Sequence, residues 1–126
     1  MHSHCRRIAR HRMNPSATIH FCQNCGPLNL GTLYQALDTA ELEDTVHIVE
    51  RGCMNGCARP VSMAIQGPGR ATYFFNGVDP IADAEDIVAT LRAYLASRNG
   101  WIEDAQPCGR LRFCLVGRVP ALSCQT

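Results

Sequence analysis

The sequence contains no lysine. All 12 of its basic residues are arginine, set against 11 acidic ones, for a formal net charge of +1. A chain so close to neutral carries no electrostatic footprint for nucleic acid or for an anionic membrane surface, and neither is expected as a partner. Acidic residues are missing before Asp38. The arginine-rich start, Met1–Arg12, also lacks the apolar segment of a secretory leader. It reads as a disordered basic tail over residues 1–16, with Met13 as an alternative start. No stretch is long and apolar enough to span a bilayer as a helix. Nucleotide-binding glycine patterns, a Ser–His–Asp arrangement and paired catalytic carboxylates are all lacking, which leaves no enzyme signature.

What the chain has in quantity is cysteine, eight residues in 126. That length supports one domain with one core. Eight cysteines serve either as disulfide staples in a secreted domain or as metal ligands and redox groups in a reducing compartment. With no leader, and with enough apolar patterning to build a core unaided, the expectation is a cytoplasmic protein with thiols.

The patterning has a definite order. Thr18–Phe21 reads as a strand that runs into the turn Cys22-Gln-Asn-Cys25-Gly-Pro. Asn29 is placed to cap a helix whose face is Leu30, Leu33, Tyr34 and Leu37. Val46–Val49 is a second strand, and Arg51–Pro60 a glycine-containing loop. Val61–Gln66 and Ala71–Asn76 form a hairpin around Gly67-Pro-Gly-Arg70. Asp79 and Pro80 open a second helix with a stripe of Ile81, Ala84, Ile87, Val88, Leu91 and Leu95, stopped by Asn99-Gly100. A β-α-β unit, then a β-hairpin, then a helix is the thioredoxin-like α/β (α+β) layout. Residues 17–100 are taken as that domain. Residues 101–126 are taken as an irregular extension packed on it, in which Leu111–Val119 offers an edge strand.

The chemistry lies in the spacing of four cysteines: Cys22-x2-Cys25, 27 intervening residues, then Cys53-x3-Cys57. Close pairs pre-organise two soft thiolate donors on one loop. Two such loops at equivalent ends of neighbouring parallel strands converge on one point. Four thiolates complete the shell of a [2Fe–2S] cluster or of a structural zinc ion. A strand–Cys-x2-Cys–helix order also suits a thiol–disulfide oxidoreductase. However, that chemistry has no use for Cys53 and Cys57, and Gly26-Pro27-Leu28 delays the helix whose dipole would activate the thiol.

Cys53-Met-Asn-Gly-Cys57-Ala-Arg-Pro60-Val61, with the hairpin and Asp79-Pro80 helix behind it, resembles the second half of thioredoxin-like [2Fe–2S] ferredoxins and the cluster-bearing small subunit of respiratory complex I. Over roughly residues 17–122 the chain resembles more closely a family of small bacterial predicted metal-binding proteins of unknown function (domain of unknown function sixteen-thirty-six). The residues carrying that likeness are the two cysteine pairs, Ala64–Tyr73 and Arg118-Val-Pro120. The resemblance implies cluster ligands at Cys22, Cys25, Cys53 and Cys57. It also implies a one-electron carrier without substrate chemistry of its own, a redox partner protein, and a homodimer as the candidate assembly. In one respect the chain departs from the ferredoxins, whose first pair is usually more widely spaced. The tight Cys22–Cys25 pair is also normal for zinc, so a structural or metal-handling zinc protein stands as the alternative.

Other residues carry weaker expectations. Cys5, Cys108, Cys114 and Cys124 lie outside the pattern and are read as thiols in mobile or partly buried positions. His20 shares a strand face with Cys22 and is either a hydrogen-bond donor near a metal-bound sulfur or a surface histidine. Arg51, Arg59 and Arg70 are read as a cluster around the second cysteine loop and the hairpin, where they would offset thiolate charge or dock an acidic redox partner, or else as ordinary solvated arginines.

Overall fold

The computed structural model describes residues 16–22, 28–52 and 61–122. Strand β1 (Ala17–Cys22) leads to helix α1 (Gly31–Thr39) and strand β2 (Val46–Arg51). A hairpin of β3 (Met63–Gln66) and β4 (Thr72–Phe75) follows, then helix α2 (Ala84–Ala96). The chain ends with 3-10 segments at Arg98–Gly100 and Gln106–Phe113 and with strand β5 (Leu115–Val119). The sheet order is β2-β1-β3-β4-β5, with β1 parallel to β2 and every other neighbouring pair antiparallel. This is the thioredoxin-like layout that the sequence leads one to expect, with β5 added at the edge beside β4.

Alternation along β1 divides the sheet into two faces. Ala17, Ile19 and Phe21 are wholly buried and share one core cluster with Met63, Ile65, Tyr73 and Phe75 of the hairpin. Leu33 and Leu37 of α1 and Ile87, Leu91 and Tyr94 of α2 complete that cluster. Thr18, His20 and Cys22 face the other way. Cys22 and Ala64 are buried, yet neither belongs to the cluster.

The helices depart from expectation in phase. Asn29 Oδ1 does accept the Gly31 N–H, at 3.1 Å. Tyr34, however, is 54% exposed. Ala36 flanks the buried stripe on one side, and Tyr34 stands on the flank opposite, turned to solvent. Asp79 caps a turn rather than the helix: its Oδ1 accepts the N–H groups of Ile81 and Ala82, and α2 begins only at Ala84. Ile81 is therefore outside the helical phase and half-exposed, while Tyr94 fills the core in its place. The Tyr94 hydroxyl donates to Ala71 O at 2.6 Å, so its polar end is satisfied within the core.

An ion pair anchors the C-terminal extension to the start of α2. The Arg110 side chain bonds both oxygens of Asp83, at 2.8 and 2.5 Å, and donates to Gly77 O at 2.7 Å. Its backbone N–H donates to Asp86 Oδ2 at 3.1 Å. Gly109 makes this approach feasible. Its φ is +61°, and a Cβ there would lie 2.5 Å from Asp86 Oδ1. Cys108 and Cys114 are buried in the core cluster beneath this segment rather than mobile.

Asp83 is buried, and the hydrogen bond from Arg110 holds its carboxyl below the usual carboxylate range, against the opposing effect of burial. A carboxylate so depressed adds stability that is present above its unfolded pKa, about 3.9, and is lost as pH falls through the lower folded value. Asp83→Asn is expected to cost about 1–3 kcal/mol at neutral pH, toward the lower end because Arg110 is half-exposed. Urea unfolding of both proteins from pH 7 to pH 3 checks this. The gap between them should narrow below about pH 4, and a gap independent of pH would show that the pair is not its source.

Candidate metal centre

The site is built at the C-terminal end of β1. In the parallel register Cys22 lies opposite Arg51, the last residue of β2. On its other edge the Cys22 N–H donates to Ser62 O at 3.1 Å. Val61 is anchored by reciprocal backbone bonds with Val78, at 3.2 and 3.1 Å. Gly52 and Val61 are the described residues that bound the segment carrying Cys53 and Cys57. The two ends of that segment therefore flank Cys22, about 10 Å apart on the spacing of two strand gaps. β1 ends at Cys22 between them.

Of the four expected ligands, Cys22 is described, and it is 0% exposed at the strand end. Cys25, Cys53 and Cys57 lie outside the described residues, as do Arg59, Pro60, Cys5 and Cys124. Among the described residues no three His, Cys, Asp or Glu side chains gather as a metal site.

His20 takes neither of its expected roles. It is 9% exposed, with both ring nitrogens engaged: Arg51 Nε donates to Nδ1 at 3.1 Å, and Nε2 lies 2.7 Å from Gln66 Oε1. This network assigns the Nε2–H tautomer, with Nε2–H donating to Gln66. Burial lowers the His20 pKa from its ordinary value; the Gln66 bond opposes that effect and the Arg51 charge adds to it. A neutral imidazole so committed has no N–H left for a sulfur; it holds the Arg51 side chain against its own ring. Arg70 does not join Arg51. It lies in the hairpin turn between β3 and β4, at the opposite end of the sheet where Gln66 pairs with Thr18, and it stacks on Tyr94.

A residue that escapes sequence reasoning is Ser62. It is 4% exposed, and its Oγ has no hydrogen-bond partner among the described residues. An unsatisfied buried hydroxyl costs about 1–3 kcal/mol. Met63 and Ile65 point into the core, so Ser62 and Ala64 stand on the face of His20 and Cys22. The signal was there to read: once β3 is aligned antiparallel to β1, Ser62 falls opposite Cys22.

No curated protein matches the chain. It is similar to two solved structures of a thioredoxin-like [2Fe–2S] ferredoxin from Aquifex aeolicus. In one the match covers 59% of this chain and 77% of that one, at 20% identity and a TM-score of 0.42. In the other, the wild-type protein at 1.5 Å resolution, it covers 82% and 98%, at 16% identity and a TM-score of 0.46. The family described as "Protein of unknown function (DUF1636)" matches residues 19–121, from within β1 to just beyond β5, and the chain belongs to that family.

Proposed function

We propose that the protein is a one-electron carrier that holds a [2Fe–2S] cluster on Cys22, Cys25, Cys53 and Cys57. The observation that carries this reading is the position of Cys22, between the two ends of the segment that bears Cys53 and Cys57. Two cysteine pairs anchored on adjacent strand ends make a donor set of four thiolates, which suits iron–sulfur iron. The orphaned Ser62 hydroxyl beside Cys22 fits a sulfur-rich group, because thiolates and sulfides accept hydrogen bonds. A bound cluster would supply reversible one-electron transfer. The chain's own residues would hold it, screen it from water and bring the Arg51 charge near it.

The same thiolates would serve a structural zinc ion, and the tight Cys22-x2-Cys25 pair favours that second reading. Thiol–disulfide exchange is disfavoured, because a reactive cysteine must reach its substrate and Cys22 is fully buried. Among the described residues no helix is long and apolar enough to cross a membrane. A cytoplasmic location, where thiols stay reduced, belongs to the proposal, as do a protein redox partner and a homodimer.

Anaerobic purification with iron, sulfide and zinc assays decides the metal. A brown protein with visible absorption and about two irons and two sulfides per chain is expected for a four-thiolate [2Fe–2S] site. A colourless protein with one zinc would replace the electron-transfer reading with the structural one.

Serine substitution of any one of Cys22, Cys25, Cys53 or Cys57 is expected to strip or weaken the metal, whichever it is. Cys124→Ser and Cys108→Ala should keep full metal content by the same assays, although Cys108→Ala will lower the melting temperature because Cys108 packs in the core. Equal metal loss in the control variants would refute the ligand assignment.

A further inference from the structure

We infer that the Ser62 hydroxyl donates a hydrogen bond to a sulfur of the metal centre, making Ser62 a positioning residue that sets how tightly the site holds its metal and at what potential. The inference rests on the four-thiolate reading above and extends it to a residue outside the cysteine motif.

Three features of Ser62 lead there. Its Oγ is buried without a partner among the described residues, a state that native proteins avoid unless a ligand or water completes it. Its backbone is fixed by the Cys22 N–H bond to Ser62 O and by the neighbouring Val61–Val78 pair, which hold its Cα at the end of β1. Its side chain stands on the same sheet face as Cys22, opposite it in the antiparallel register that runs from Thr18↔Gln66 to Phe21↔Met63. A metal-bound thiolate or sulfide only accepts, and a serine O–H donates, so the direction of the bond is settled by the chemistry of the two groups. His20 cannot make this bond, its ring nitrogens being taken by Arg51 and Gln66.

The physical effect has a sign. A donor to a thiolate stabilises its charged form and strengthens metal binding. With a cluster, the reduced state carries one more negative charge than the oxidised state. The same bond then favours reduction and raises the potential.

Full-length Ser62→Ala tests this by three readouts. Metal-free, the variant should melt at or above the parent, because an unpartnered polar atom is gone. In chelator competition with Zn²⁺ its affinity should fall about tenfold. With a reconstituted cluster its midpoint potential should drop by an amount equivalent to about tenfold in the reduction equilibrium, about 59 mV.

Unchanged affinity and potential would overturn the inference. So would a less stable metal-free variant with unchanged affinity, which would make Ser62 a structural residue satisfied by water. Failure of the underlying reading looks different: Cys22→Ser would keep the metal, or the parent would bind none, and both proposals would then fall together. A zinc protein leaves the affinity measurement decisive for Ser62.

Discussion

The hydrogen-bonding of β1 on both of its edges is the constraint from which the site follows. β2 runs parallel to β1, so it finishes where β1 finishes. β3 runs antiparallel, so it starts there. Residues 22, 51 and 62 are thus drawn to one end of the sheet although they are far apart in sequence. The register is held from the other face, where Ala17, Ile19 and Phe21 must all enter the core. A slip of one residue would turn every one of them to the wrong side and carry Cys22 with them. The core cluster, to which Cys22 does not belong, determines which way the first proposed ligand points.

Much of this was legible in the sequence, for reasons that differ by element. The strands announce themselves by β-branched and aromatic alternation, and the hairpin by Pro-Gly. Element order then restricts the topology, because a β-α-β unit yields parallel neighbours and a hairpin antiparallel ones. Phase was harder. Tyr34 and Ile81 are apolar at helical spacing, yet neither enters the core. For Tyr34 the reason is that the neighbouring helix lies on the other flank, a fact of tertiary packing. For Ile81 it is that Asp79 closes a turn before the helix begins, so the count of 3.6 residues starts later. Arg70 looked close to Arg51 only along the chain, since a hairpin turn lies a full strand length from the residues that precede it. Ser62 needed register as well as spacing. The expected ligands Cys25, Cys53 and Cys57 lie outside the described residues, so their assignment rests on their spacing in the sequence and on the strand ends that bound them.

The far end of the molecule solves a different problem. β5 pairs with β4 and leaves Val116 and Val119 exposed on the edge of the sheet. This strand is placed by the segment before it, where Arg110 bridges Asp83 and Gly77 and Gly109 lies against Asp86. Arg118 reinforces the arrangement by stacking on Trp101, 3.7 Å from the ring centroid, while donating to Ile102 O. The extension thus depends on side-chain contacts to α2 and to the β4–α2 connection, and its anchors are separate from those that set the register of β1.

The two faces of the sheet also separate stability from tuning. On the helix side, the buried groups are apolar, satisfied like Tyr94 by a fixed backbone acceptor, or, at Asp83, paired with Arg110. On the other side, His20, Arg51, Gln66 and Ser62 are polar groups clustered along β1 and its neighbours. Protonating His20 there would require a second donor at Nδ1, facing Arg51 Nε, which is itself a donor; the ring stays neutral and the guanidinium stays in place. The Arg51 guanidinium bonded to this ring is therefore a fixed feature of the sheet face that Cys22 shares. A fixed charge lowers the cost of gathering thiolates at one point. It does so on a face whose residues can change without repacking the core.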